Sequence, residues 1–126
     1  MGGVGTAQAL AKFYSMLANG GEWDGKKIVS KRVLSLMEEP LVSGEDKVLC
    51  LGNAFSAGFM KGRNDLIRRN LFGSSKSAYD HSGAGGSHAF ADPENRIAFA
   101  YTMNQMNYGV LPGPKSIDMV DVLYGL

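Results

Sequence analysis

Several kinds of residue and pattern are scarce in this chain, and each scarcity removes a class of function. There is one cysteine, Cys50, which excludes an internal disulfide. Thirteen basic and twelve acidic residues leave a formal net charge of +1. The densest basic stretch, Lys61 to Arg69, is too diluted by other residues for a nucleic-acid groove, so no nucleic-acid partner is expected. No apolar run approaches the roughly 20 residues of a membrane span. The N-terminus has no charged segment followed by an apolar one, so no signal peptide is visible.

What remains is ordinary globular material. At 126 residues, 44% hydrophobic and 20% charged, the chain is one domain or one piece of a domain. A complete domain of this size buries roughly two thirds of its unfolded surface. The 17 glycines are many, and they cluster near Gly2 to Gly5, Gly20 to Gly25 and Gly83 to Gly86. Clustering of that kind marks tight turns at set places.

Taken in order, Thr6 is placed to cap a helix, and Leu10, Phe13, Tyr14 and Leu17 make one apolar helix face. Asn19-Gly20-Gly21 stops it. Glu22 to Lys27 reads as a turn, and Ile28-Val29 as a short extended piece. Ser30 caps a second helix with Val33, Leu36 and Met37 facing inward, ended by Pro40. Residues 41–53 have no clear pattern. Ala54 to Met60 reads as a strand weakened by Gly58, and Arg63 to Ser77 as a loop pinned by Leu66, Ile67, Leu71 and Phe72. After Pro112-Gly113-Pro114, residues Ile117, Val120 and Leu123, with Met119 and Tyr124 beside them, give a closing amphipathic helix.

Asp80 to Asn104 organises the rest. It reads as a glycine-rich strand, the turn Asp92-Pro93-Glu94-Asn95, and a second strand. Glycine in a strand has nothing to pack, and is useful where a ligand or another segment comes close to bare backbone. In the second strand Ile97, Phe99, Tyr101 and Met103 alternate with Ala98, Ala100 and Thr102. The large face suits a core and the small face a closely packed helix.

Most candidate chemistries fail on spacing. Gly2-Gly3-Val4-Gly5-Thr6 has no strand before it and no Walker lysine, so it reads as a helix start. Cys50, His81 and His88 are the soft or borderline metal ligands; no Cys-x-x-Cys or His-Glu-x-x-His occurs, and no metal site is expected. Gly-x-Ser-x-Gly is absent, with Gly85-Gly86-Ser87-His88-Ala89 the near miss. Ser-x-x-Lys and Tyr-x-Asn do not occur either. Asp80 and His81 are adjacent, and adjacent residues on a strand point apart. His81-Ser82-Gly83-Ala84 then has two readings. One is a turn whose histidine is satisfied by a neighbour. The other is a strand edge lining a cleft, with the Ala84 amide aimed at a ligand carbonyl as half of an oxyanion hole.

His81-Ser82-Gly83-Ala84-Gly85-Gly86, followed by Ala89-Phe90-Ala91-Asp92-Pro93-Glu94 and Tyr101-Thr102-Met103-Asn104, resembles the C-terminal part of serine beta-lactamase-like proteins. This is the class C beta-lactamase, penicillin-binding protein and carboxylesterase superfamily. Gly2 to Ala7 running into Leu10, Ala11 and Phe13, with Asn19-Gly20-Gly21 and Asp24-Gly25-Lys26, is similar to a stretch of their helical region. The resemblance implies that His81-Ser82-Gly83 is the family's third motif, Lys-Thr-Gly or His-x-Gly. His81, Ser82 and Gly83 would then contact substrate, and the Ala84 N–H would be an oxyanion donor. The family's nucleophile and base, in Ser-x-x-Lys, and its Tyr-x-Asn have no counterpart here, so no catalytic side chain is assigned.

The expected fold is accordingly α+β: about three antiparallel strands flanked by helices. Residues 1–40 would close a helical region, 54–105 carry the strands, and 114–126 form the C-terminal helix. The favoured function is the C-terminal piece of a serine hydrolase of beta-lactam, peptide or ester bonds, inactive alone, needing no metal and no cofactor. Its partner would be a small-molecule or peptide substrate of the parent protein. The alternative is a non-catalytic module of the same fold. A bare sheet edge and an uncovered apolar patch would make either version prone to homo-oligomer formation.

Overall fold

The computed structural model describes residues 3–61, 71–72 and 75–125. Most of the loop expected at Arg63 to Ser77, with Leu66 and Ile67, lies outside the described residues. Among these residues are three helices and eight strands, all paired antiparallel, which is the expected α+β class.

Helix α1 (Ala7–Ala18) begins where Thr6 Oγ1 accepts from the Ala9 N–H at 3.1 Å. It buries Tyr14, Met16, Leu17 and Ala18, with Leu10 packed alongside, while Phe13 lies at the boundary at 47% exposure. The Glu22 to Lys27 turn is a small hairpin, β1 (Glu22–Trp23) against β2 (Lys26–Lys27). Asp24 and Gly25 both have positive φ, at 51° and 69°, as a two-residue hairpin loop requires. Ser30 caps α2 (Lys31–Glu38) through the Val33 N–H. There Leu34 and Met37 face inward, and Val33 and Leu36 lie outside, so the inward face sits one residue off the expected stripe.

The main sheet has six strands, wider than the three expected, in the order β3 (Val42–Asp46), β4 (Leu51–Phe55), β5 (Met60–Lys61), β6 (Tyr79–Asp80), β7 (His88–Asp92), β8 (Ile97–Tyr101). Two expectations are corrected here. Ala54 to Met60 is two strands, because Gly58 at φ 84° turns the chain and the Ser56 N–H donates to the Phe59 carbonyl. The glycine-rich stretch is no strand: Gly85 and Gly86 have φ of 88° and 108°, and the chain turns back through a single Gly83–Ser87 bridge. The regular strand before the Pro93 turn is β7.

Alternation along β7 and β8 sorts two layers. Ala89, Ala91, Ala98 and Ala100 pack with Tyr14 and Leu17 of α1 on one face. Phe90, Ile97 and Phe99 pack on the other against Ile117, Val120 and Tyr124 of α3 (Pro114–Tyr124). Alanine lets a helix approach closely, and the large residues fill the wider gap. Asp92 ties this second layer together. Its carboxylate accepts from the Ser75 and Tyr124 hydroxyls, the latter at 2.6 Å, and from the Asn95 side-chain amide at 2.9 Å.

Candidate functional site

The candidate segment is the loop His81–Ser87 between β6 and β7. His81 is exposed, with Nδ1 2.9 Å from the Ser82 carbonyl oxygen. Asp80 beside it is fully buried, so the two point apart and form no pair. Ser82 turns inward at 8% exposure, its hydroxyl 3.1 Å from the Val110 carbonyl and 3.7 Å from Met60 Sδ. The Gly83 N–H donates to the Ser87 carbonyl at 2.8 Å, and the Gly86 N–H to the Gly83 carbonyl at 3.0 Å.

Ala84 sits at the tip of this turn, half-buried. Among the described residues no acceptor takes its N–H, although its neighbours on both sides are bonded. An unsatisfied amide at an accessible position costs little, because water or a ligand reaches it. It is also fixed in direction by the bonds around it.

Part of that fixing was not legible in the sequence. The strap 106–110 is zipped onto the loop. The Gly85 N–H donates to the Gly109 carbonyl at 3.0 Å, and the Asn107 N–H donates to the Gly85 carbonyl at 2.8 Å. The bonded residues, Gly85 with Asn107 and Gly109, lie far apart in sequence, and Asn104 to Val110 has no periodic pattern. Met106 and Tyr108 on this strap are exposed at 68% and 109%. A concavity lined by Asn19, Glu22, Asp24, Pro93 and Arg96 lies at the other end of the sheet from this loop, beside the Pro93 turn.

The candidate metal ligands do not converge. Cys50 and His81 are exposed, and His88 is buried. No group of three ligating side chains occurs among the described residues. No described helix is long and apolar enough to cross a membrane.

Comparison with known proteins bears on the family and the fold. The family profile described as Beta-lactamase matches residues 1–117. An esterase/beta-lactamase, LipL, of Mycobacterium tuberculosis is 33% identical over 105 residues, covering 82% of this chain and 23% of that protein. A penicillin-binding protein homolog from Caulobacter crescentus superposes with a TM-score of 0.84 at 32% identity, over 93% of this chain and 30% of that one. A family VIII carboxylesterase does so with a TM-score of 0.82 at 32% identity, over 92% and 30%. The chain thus spans less than a third of the length of these relatives.

Proposed function

This chain belongs to the beta-lactamase family, and we propose on that premise that it forms one wall of a serine-hydrolase acyl-transfer site. In this reading Ala84 offers its N–H to the oxyanion that develops when an acyl carbon becomes tetrahedral. Gly83 leaves room for the substrate backbone. His81 and Ser82 orient the substrate's acyl or carboxylate group. The attacking serine and its base belong to a Ser-x-x-Lys that this sequence does not contain. The serine hydroxyl would add to the carbonyl, the tetrahedral oxyanion would collapse with loss of the leaving group, and water would later release the acyl group. A preorganised donor is effective because it costs no reorientation at the moment charge appears.

The observation that carries this reading is the Ala84 N–H: on a half-buried residue at the tip of a turn, between hydrogen-bonded neighbours, and without an acceptor among the described residues. The test is nitrocefin and p-nitrophenyl ester hydrolysis by the pure chain, alone and mixed with a family polypeptide carrying Ser-x-x-Lys and Tyr-x-Asn. No turnover alone and turnover on mixing are expected. Turnover by the chain alone, abolished by His81→Ala, overturns the missing-nucleophile account.

A second reading is favoured by β8. It is the last strand of the sheet, and its sequence Ile-Ala-Phe-Ala-Tyr has no charge to discourage pairing. On that reading the chain is a self-assembling module that pairs β8 with β8 of a second copy. A stable oligomer in light scattering supports it, and a monomer at all concentrations contradicts it.

A further inference from the structure

Beneath the site loop lies a pair of ionisable side chains that the acyl-transfer reading does not use. Asp80 closes β6 immediately before the loop, and His88 opens β7 immediately after it. Their side chains share the α3 face of the sheet, buried to 0% and 1% exposure, with His88 Nε2 4.0 Å from Asp80 Oδ2. Among the described residues no partner meets hydrogen-bond geometry with either carboxyl oxygen or either ring nitrogen, although the Leu71 backbone lies near enough to act on the imidazole. Around the imidazole stand the rings of Phe72, Phe90 and Phe99, with centroids 5.4–5.8 Å away.

Simple electrostatics narrows the states such a pair can adopt. With no proton bound, an unpaired carboxylate is buried among aromatic rings. With two, an unpaired imidazolium is. Either leaves an uncompensated charge in a medium that penalises it heavily. One proton makes the pair neutral as a unit, whether it sits on oxygen or on nitrogen. We infer that Asp80 and His88 hold one proton between them and act as a neutral clamp across the neck of the His81–Ser87 loop.

Burial acts on each group in the sense this requires. It raises the Asp80 carboxyl well above its ordinary range and pushes the His88 imidazole down to about 4, against an opposing effect of the Leu71 backbone. Among the described residues, the other titratable groups around the pair do not supply the missing charge. Asp92, further along β7, is held by Ser75, Tyr124 and Asn95. Tyr101 is the cross-strand partner of His88, Tyr124 stacks on Phe90, and Tyr14 of α1 bears on Asp80. Lys115, Asp118 and Asp121 of α3 occupy exposed or half-exposed positions. Lys61 of β5 belongs to the opposite face, over the Tyr79 ring.

The consequence is proton uptake on folding. The unfolded chain at pH 8 has an ionised aspartate and a neutral histidine, while the folded pair keeps its proton. Stability therefore falls as pH rises. The experiment is urea unfolding of the whole chain from pH 7 to 8.5, for wild type, Asp80→Asn, His88→Phe and Asp80→Leu/His88→Phe. Relative to Asp80→Asn, the wild-type folding constant should fall about tenfold per pH unit. Lys61, whose burial lowers it to about 8, titrates in both proteins and cancels. At pH 7 His88→Phe should weaken folding at least tenfold, whereas Asp80→Asn also removes the cost of proton uptake, so it gains on wild type as pH rises; the double should lose less than the product of the singles. Equal pH slopes, or singles whose effects multiply, overturn the shared proton. If a single variant does not fold, proton release decides: unfolding the wild type at pH 7 in weak buffer should free about 0.7 proton per chain, and none overturns the inference.

Discussion

Gly85 and Met106 meet so closely that only glycine fits. A Cβ on Gly85 would lie 2.7 Å from Met106 Cε and 3.0 Å from Met106 Cβ, and the residue already has φ of 88°. The strap from Met106 to Val110 therefore lies directly on the loop that presents Ala84. Loop and strap behave as one rigid piece because each closes the other's hydrogen bonds. Gly85→Ala combines a clash with a left-handed backbone, and should cost about 1–3 kcal/mol. Denaturant midpoints measure the loss, and amide exchange at Asn107 should speed up with it.

Asp92 gives a pH-dependent prediction. Burial alone would raise its carboxyl, but donation from Ser75, Tyr124 and Asn95 outweighs that and lowers it. A depressed folded value means stability present above the unfolded value near 4 and lost as pH falls through the folded one. Tyr124→Phe removes a charge-assisted bond and should cost about 1.5–3 kcal/mol at pH 7. The gap to wild type should narrow below pH 3, which unfolding curves at the two pH values check.

At the free edge, Tyr101→Lys places a charge at the end of β8, where edge strands commonly carry one. If copies associate through this strand, the change should shift the chain toward monomer in light scattering. An oligomer unaffected by it must use another surface.

In the core, Phe90 is fully buried between Phe99 and Tyr124, with ring centroids 5.5 and 6.4 Å away. Phe90→Ala should cost about 3–5 kcal/mol, enough to unfold a marginal domain. Loss of the cooperative thermal transition is the expected signature.

How far the sequence could be read follows from how local each signal is. The helix starts at Thr6 and Ser30 were legible because a cap involves residues three apart. The two faces of β8 were legible because alternation carries its own period. The hairpin from β3 to β4 was not, since Val42 to Glu45 is exposed throughout and has no apolar rhythm to betray it. His81 to Gly86 misled as a strand because glycine's left-handed freedom leaves no trace in composition. The strap on Gly85 and the Asp80–His88 pair depend on tertiary contacts. Membership of the beta-lactamase family, by contrast, was visible in the resemblance carried by His81 to Gly86 and the residues after it.

The account rests most heavily on the Ala84 N–H as an oxyanion donor. Its most direct test is kcat for nitrocefin or p-nitrophenyl ester hydrolysis by this chain mixed with the Ser-x-x-Lys polypeptide, comparing wild type with Ala84→Pro, which has no N–H. A loss of about 10²–10³ in kcat with KM little changed and the circular dichroism spectrum preserved is the predicted result. An Ala84→Pro assembly as fast as wild type would contradict it.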